Sequence, residues 1–154
     1  MKKVLFISST GGHLNELLQL KKTMKKYDSY LVTEKTKSTI GLRNDFKKIS
    51  FLKYGTKSHF SYIYIFPFNC ILSLIYFLKI RPNVVVTTGA HTGVFMCYIA
   101  KLFRKKVIYI ETFANIHSKS MSGKLVYPIA DMFIVQWESM LKLYPNAVYG
   151  GWIF

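Results

Sequence analysis

Short apolar runs rich in β-branched residues alternate with segments of helical periodicity along the chain, and this alternation constrains the fold most strongly. Alternating strands and helices form βαβ units, which build a mainly parallel sheet with helices on both faces. The predicted strands are Val4–Ser8, Ser29–Thr33, Lys48–Leu52, Asn83–Thr88, Lys106–Glu111, Met132–Val135 and Ala147–Tyr149. Because 154 residues suit one hydrophobic core, we predict a single doubly wound α/β domain over residues 1–154.

The segments between these strands carry apolar residues at helical spacing. The pattern that begins at Leu14 and ends near Met24 has lysines on its other face, as expected for a helix half-buried on a sheet. Further helices are predicted over Thr92–Arg104, Lys119–Ala130 and Glu138–Leu143.

Residues 60–78 form an uncharged stretch of 19 residues between two predicted strands. Its length matches a transmembrane span, but Pro67 and Asn69 weaken that interpretation, and lysines and an arginine flank both ends. We predict a bent pair of apolar pieces that lie in the headgroup layer of a membrane, and a buried crossover helix remains open as the alternative. The residues expected to contact lipid are Phe60, Tyr62, Tyr64, Phe66, Phe68, Ile71 and Leu74.

The formal net charge of +15 lies entirely in residues 1–106, whereas residues 107–154 are neutral and rich in aromatic side chains. This division suggests an anionic partner on one face, here a membrane surface, and a protein partner on the other. A nucleic-acid-binding module remains an alternative, but the aromatic residues are contiguous rather than interleaved with arginine, so we expect no nucleic acid. The two cysteines lie in apolar stretches without the spacing of a metal site, and the sequence predicts no metal and no secretion.

Three glycine-bearing loops follow predicted strands, and ligands of open parallel sheets bind beyond these strand ends. The first loop includes Thr10, Gly11, Gly12 and His13, and a turn of this kind lets the backbone and a helix N-terminus approach a diphosphate. His13 is either a base or phosphate contact, or a capping residue. The first loop lacks the spacings of dinucleotide-binding folds and of P-loops.

The second and third loops extend the same edge. The second loop, Thr87–Gly93, offers Gly89, His91 and Thr92 to a phosphate, and the third, Glu111–Lys124, offers Ser122 and Lys124. Glu111, at the end of a strand, is either a carboxylate that binds or deprotonates a sugar hydroxyl, or a structural cap. Three such loops on one edge are a stronger signal than any one of them.

These motifs, taken in order, resemble a known family. They are Gly11–Glu16, Thr88–Val94, Glu111–Ala114, Ser120–Leu125 and Tyr127–Trp137. They resemble the membrane-anchoring subunit of the eukaryotic two-part N-acetylglucosaminyltransferase of dolichol-pyrophosphate oligosaccharide assembly. They resemble more closely the bacterial accessory proteins called β-1,4-galactosyltransferase enhancers, which serve capsule and exopolysaccharide synthesis.

The resemblance implies a GT-B glycosyltransferase divided into two polypeptides, of which this chain is the N-terminal, acceptor-side half. It implies a heterodimer with a catalytic subunit that binds the UDP-sugar, with UDP-galactose expected, so that this chain binds no cofactor. Gly11, Gly12 and His13 would face the pyrophosphate of a lipid-linked sugar acceptor, and Glu111 would face its sugar. The eukaryotic subunit begins with a transmembrane helix that this chain lacks, so we expect residues 60–78 and the lysines to bind the cytoplasmic face of the cell membrane.

A two-chain enzyme also needs a contact surface between its subunits. Residues 144–154 contain four aromatic side chains and no charged one, as is typical of the core of an interface. We predict that Tyr149, Trp152, Ile153 and Phe154 contact the catalytic subunit, with Gly150 and Gly151 as a hinge. A self-sufficient small nucleotide-sugar enzyme remains a further alternative.

Overall fold

The computed structural model describes residues 1–55 and 59–153, and for residues 59–63 it describes the backbone alone. Seven strands form one sheet in the order β3-β2-β1-β4-β5-β6-β7, and each neighbouring pair is parallel. The strands are β1 (Lys3–Ile7), β2 (Asp28–Lys35), β3 (Ile49–Lys53), β4 (Val84–Thr87), β5 (Lys106–Ile110), β6 (Met132–Val135) and β7 (Val148–Tyr149). The predicted doubly wound parallel sheet is confirmed.

Six α-helices and two 3₁₀ turns connect the strands within the described residues. The helices are α1 (Gly12–Leu18), α2 (Lys21–Met24), α3 (Lys37–Ile40), α4 (His59–Ile80), α5 (His91–Leu102) and α6 (Met121–Val126), and the 3₁₀ turns are Gly41–Arg43 and Glu138–Lys142.

Two helix predictions need correction. The helix predicted through Leu14 and Met24 is two short helices, separated at residues 19–20. The helix predicted over Lys119–Ala130 is shorter at both ends. It begins after Ser120, whose Oγ accepts a hydrogen bond from the amide of Gly123 at 2.8 Å, and it ends two residues before Pro128, which has no amide hydrogen to donate.

Alternate residues of β1 enter two different hydrophobic clusters, because successive side chains of a strand point to opposite faces. Leu5 and Ile7 pack on the face that α4, α5 and α6 cover, while Val4 and Phe6 pack on the face of α1. All four side chains are buried. Burying an aliphatic side chain of this size contributes about 1.5–3 kcal/mol, so the two clusters hold the sheet in place between its helices.

Helix α4 is one helix and not the predicted pair of apolar pieces, and it continues past Pro67. Its polar residues explain its position, because the side-chain amide of Asn69 accepts from the Lys53 amide at 2.9 Å and donates to the Lys53 carbonyl at 2.8 Å. Ser73, Phe77 and Ile80 are buried on the same side. The alternative of a crossover helix packed on the sheet is therefore correct for this face of α4.

The opposite face of α4 is apolar and open. It carries six exposed large hydrophobic side chains, which are Tyr64, Phe68, Ile71, Leu74, Ile75 and Leu78. Phe66 is also exposed, but it lies on the side of Asn69 and Ser73, toward α5. Among the described residues no helix combines the length and the hydropathy that crossing a bilayer requires. The side chains of Phe60 and Tyr62, which were also predicted to contact lipid, lie outside the described residues.

Candidate functional site

Polar side chains gather where β1, β2, β4 and β5 end, at the carboxyl edge of the sheet. Three of the seven acidic residues of the chain lie there, and all three are buried: Glu16, Glu34 and Glu111. Carboxylates are almost never fully buried unless they are paired or hydrogen-bonded. These three carboxylates therefore need hydrogen-bond donors from within the protein.

The first and second loops meet at His13, and we call Gly11, Gly12, His13, Thr88 and Gly89 the open histidine site. His13 Nδ1 lies 3.0 Å from the Thr88 carbonyl oxygen, and the Thr88 hydroxyl donates to the His13 carbonyl at 2.6 Å. Because a carbonyl oxygen only accepts, Nδ1 carries the hydrogen of the neutral ring. Nε2 is then the nitrogen with the lone pair, which is what a general base requires.

The glycines of this site keep space around the imidazole. Gly11 has a φ of +87°, and side-chain carbons placed at Gly11 or Gly12 would meet no atom within 4 Å, so the turn is open to a ligand. Gly89 has a φ of +112°, and a β-carbon there would lie 2.8 Å from the Tyr109 hydroxyl and 3.5 Å from His13 Nδ1. The close packing at Gly89 thus positions the imidazole, while the other two glycines leave its approach clear.

Thr10, Thr92 and His91 lie beside this site but have partners within the chain. The amide and the hydroxyl of Thr10 both donate to Glu34 Oε2 at 3.2 Å, and His91 Nε2 lies 3.9 Å from Glu34 Oε1. The Thr92 hydroxyl is 2.8 Å from that of Ser9. These contacts tie the first and second loops together, and the phosphate-binding roles of Thr10, Thr92 and His91 stay predictions.

Glu111 belongs to a second group, the sealed carboxylate cluster of Glu16, Glu111, Thr112, Gln136 and Tyr144. Glu111 is 1% exposed. Its Oε1 accepts from the Thr112 amide at 3.0 Å and its Oε2 from the Tyr144 hydroxyl at 2.8 Å. Burial and the bond to Glu111 raise the pKa of Tyr144, which keeps its hydroxyl a donor. The catalytic role of Glu111 stays a prediction. A substrate could reach this enclosed carboxylate only if the residues that cover it moved away.

Gly123 on α6 covers the carboxylate of Glu111. A β-carbon at Gly123 would overlap Glu111 Oε2 and the Tyr144 hydroxyl, so only glycine allows α6 to lie so close.

The other predicted residues of the third loop lie next to Gly123. Ser122, which is half-buried, lies on the same turn, and Lys124 is exposed on α6. Tyr109, whose hydroxyl is 3.4 Å from Ser120 Oγ, has a raised pKa because it is buried and faces Glu111. The third loop therefore joins the other two through Tyr109.

Glu16 connects the first loop to the strands beyond it. Its Oε1 accepts from the Thr112 hydroxyl at 2.7 Å and from the Phe113 amide at 3.2 Å, and Gln136 donates to its Oε2 at 3.4 Å. Desolvation raises the pKa of Glu16 in spite of these bonds. Gln136 also donates to the Glu111 carbonyl at 3.0 Å, so one amide side chain links both acidic residues.

The C-terminal segment packs against this cluster, and Gly150 is not the predicted hinge. The Gly150 amide donates to the Val135 carbonyl at 3.0 Å, and the Ile153 amide donates to Gln136 Oε1 at 3.2 Å. The Trp152 ring contacts those of Phe113 and Trp137 at centroid distances of 5.4 and 5.0 Å, yet it remains 60% exposed. The partner contact predicted for Tyr149, Trp152 and Ile153 stays a prediction, and Phe154 lies outside the described residues.

Four residues of this edge were not predicted as site residues from the sequence: Glu16, Glu34, Gln136 and Tyr144. Glu34 could have been found by the same rule as Glu111, because it lies one residue beyond the predicted strand Ser29–Thr33. No sequence pattern indicated Tyr144 as a site residue, because it lies 33 positions from Glu111, to which its hydroxyl donates. Such a contact depends on the fold of the whole domain.

Comparisons with known proteins agree with this architecture. The model of the family described as "Oligosaccharide biosynthesis protein Alg14 like" matches residues 34–153. The protein named UDP-N-acetylglucosamine transferase subunit ALG14 is 32% identical in Candida albicans, with 92% of this chain and 74% of the relative aligned. The human protein of the same name is 27% identical, over 96% of this chain and 81% of the relative.

Solved structures show the same fold at lower identity. MurG from Acinetobacter baumannii matches with a TM-score of 0.70 and 14% identity, over 97% of this chain and 44% of that one. A UDP-N-acetylglucosamine 2-epimerase matches with a TM-score of 0.73 and 18% identity, over 96% and 46%. The chain thus spans less than half the length of either solved protein. The family match over residues 34–153 and the similarity to its curated members show that this chain belongs to the Alg14-like family.

Proposed function

We propose that this chain is the accessory, acceptor-binding subunit of a two-part glycosyltransferase. It binds a sugar linked to a polyprenyl pyrophosphate and presents it to a catalytic subunit, which binds the UDP-sugar. The observation that carries the proposal is family membership, since relatives that align over about 80% of their length are named as UDP-N-acetylglucosamine transferase subunits. In this proposal the chain binds no cofactor of its own.

The open histidine site is where the acceptor's polar part would bind. Gly11 and Gly12 leave room for the pyrophosphate beside the backbone, and His13 Nε2 has a lone pair that can accept a proton from the attacking sugar hydroxyl. Glu111 would take part only after α6 lifts Gly123 away from its carboxylate. While α6 covers it, Glu111 holds the third loop in position by accepting hydrogen bonds from Thr112 and Tyr144.

Helix α4 would hold the subunit at the cytoplasmic face of the cell membrane. Its open face is apolar, and basic residues lie near it, with Lys53 Nζ 4.9 Å from the centre of the Phe68 ring and Lys79 and Arg81 at its C-terminal end. Each basic residue near an anionic surface contributes about 1 kcal/mol, which salt weakens. Membrane binding should therefore need both apolar burial and anionic lipid.

Liposome flotation tests this membrane role. The double variant Ile71→Asp/Leu74→Asp should stay folded, because both side chains are exposed, and it should no longer float with anionic liposomes. Ile40→Asp, an exposed apolar residue of α3, is the matched control and should float normally. Equal binding of the unmodified protein to neutral and anionic liposomes at every salt concentration would refute the electrostatic contribution.

The catalytic subunit is proposed to dock on the neutral C-terminal segment. Tyr149 and Trp152 are exposed there, and the Trp152 ring extends an aromatic group already formed by Phe113 and Trp137. Trp152→Ser should abolish co-purification of the partner without unfolding the chain, whereas Ile40→Ser should not. Retention of the partner by Trp152→Ser would place the interface elsewhere.

The identity of the donor sugar and of the product is the most specific claim of the proposal. The motif resemblance to capsule and exopolysaccharide enhancers suggests UDP-galactose, whereas the relatives found by comparison are named for UDP-N-acetylglucosamine. Co-expression with neighbouring transferase subunits, followed by assay of both donors on a pyrophosphate-lipid sugar, decides between them. Failure of every such complex to transfer either sugar would overturn the transferase role.

A further inference from the structure

An apolar groove of about 280 Å³ runs between α5 and α6, next to the N-terminal half of α4. Its walls are apolar or aromatic side chains, and none of them is charged: Phe66, Val94, Phe95, Tyr98, Met121 and Leu125. This volume lies just below the range for small-molecule sites, about 300–1,000 Å³.

The polar atoms of the groove wall are already bonded within the protein. The Tyr98 hydroxyl donates to the Leu125 carbonyl at 2.9 Å, which joins α5 to α6 and leaves the aromatic ring toward the groove. Met121 is 73% exposed and Leu125 45%, so both add open apolar surface to the groove. The groove therefore favours an occupant with apolar surface and no need for hydrogen bonds.

The two ends of the groove differ in chemistry. One end is bordered by Ala90, His91 and Ser122, which belong to the loops at the carboxyl edge of the sheet. Tyr98 and Leu125 lie one to two helical turns further along α5 and α6, and Phe66 of α4 faces the groove rather than the open apolar face of that helix. A ligand lying along the groove would thus have its polar end at the loops and its apolar end between α5 and α6.

We infer that this groove binds the first isoprene units of the acceptor's polyprenyl chain, next to the pyrophosphate. This inference rests on the proposed function, and it names the place of the lipid part of that acceptor. A prenyl pyrophosphate has the required order of groups, an anion followed by an uncharged branched hydrocarbon. The groove is short, so it would select for the portion of the chain nearest the pyrophosphate and leave the remainder in the membrane.

Calorimetric titration of the purified chain with farnesyl diphosphate and with inorganic pyrophosphate tests this inference without the partner. Farnesyl diphosphate, kept below its micelle concentration, should bind at least about tenfold more tightly than pyrophosphate. Leu125→Gln and Met121→Gln should each remove this preference and leave pyrophosphate affinity unchanged. Ile40→Gln, on α3 with an exposure of 45%, equal to that of Leu125, is the matched control and should keep the preference.

Equal affinity for the two probes, absence of binding, or equal losses in Leu125→Gln and Ile40→Gln would overturn the inference. Loss of partner co-purification by Leu125→Gln with unchanged farnesyl diphosphate affinity would also overturn it, because the groove would then be a protein contact. A complex that transfers no sugar while the chain keeps its Leu125-dependent preference would support the prenyl groove and refute the transferase role. The two proposals can therefore fail separately.

Discussion

The open histidine site and the sealed carboxylate cluster lie on the same edge of the sheet, but they are built in opposite ways. At His13, two glycines clear the approach to the imidazole and a single backbone carbonyl fixes its orientation. At Glu111, a glycine serves to bring α6 close, and both carboxylate oxygens accept hydrogen bonds from the protein. The first arrangement admits a ligand, whereas the second excludes one and holds the loops in place.

This difference shows that a polar residue at a strand end can have either of two roles. A buried charge must be matched by donors, so any loss of a donor in the sealed cluster should lower stability. A half-exposed histidine can lose its partner at smaller cost, so its removal should affect chemistry more than folding. Four experiments test this contrast.

Gly123→Ala should have the largest effect on stability. The added methyl group would overlap Glu111 Oε2 and the Tyr144 hydroxyl and push α6 away from them. Overpacking and a broken bond to a buried charge together should cost about 3 kcal/mol in the free energy of unfolding. Urea denaturation measures this, with Gly41→Ala as control, because a β-carbon at Gly41 meets no atom within 4 Å. Equal stability of the two variants would show that the carboxylate is not sealed.

Tyr144→Phe should have the next largest effect. It removes the donor to Glu111 Oε2 and keeps the ring packed against Phe133 and Tyr127. The loss of a hydrogen bond to a charged group should cost about 1.5–3 kcal/mol. Tyr149→Phe, at an exposed position, should leave the urea midpoint unchanged. A Tyr144→Phe variant as stable as the unmodified chain would mean that Glu111 is satisfied by other groups.

Glu16→Gln should change the pH dependence of stability. The pKa of Glu16 is higher in the folded state than its ordinary value of 4.5, because burial disfavours the charged form. The stabilisation linked to its protonation is therefore complete below about pH 4.5 and is lost as the pH rises through the folded pKa. The unfolding free energy of the unmodified chain minus that of Glu16→Gln should thus decrease between pH 4 and pH 7. The exposed Glu138→Gln serves as control, and a constant difference for Glu16→Gln would contradict the predicted shift.

The sheet could be predicted from the sequence because each strand is a short apolar run whose side chains are buried on both faces of the sheet. Such a run can be recognised from consecutive residues alone. Val85, in the run of three valines, is fully buried in the sheet as such a run requires. The order of the seven strands could not be predicted from these runs. Parallel pairing alone, however, places the loops that follow the strands at one edge of the sheet. The residues of the open histidine site were therefore predicted correctly as neighbours.

The sealed cluster could not be predicted in the same way. Glu16 and Thr112 are 96 positions apart, and Gln136 and Glu16 are 120 apart, so these bonds form only when the domain is folded. Helix α4 shows a related difficulty. Its sequence is largely apolar on every side, and long-range contacts such as the pairing of Asn69 with Lys53 show which side faces the sheet.

Turnover of the assembled complex with His13→Ala tests the central claim most directly. This variant should stay within about 1 kcal/mol of the unmodified chain in stability, because it loses one hydrogen bond at a half-buried position. Transfer to a pyrophosphate-lipid sugar should nevertheless fall about a hundredfold or more if Nε2 accepts the proton of the acceptor hydroxyl. His117→Ala, an exposed histidine of the third loop, should transfer normally. Unchanged turnover in His13→Ala, with the partner still bound, would contradict the assignment of the acceptor site to this edge of the sheet.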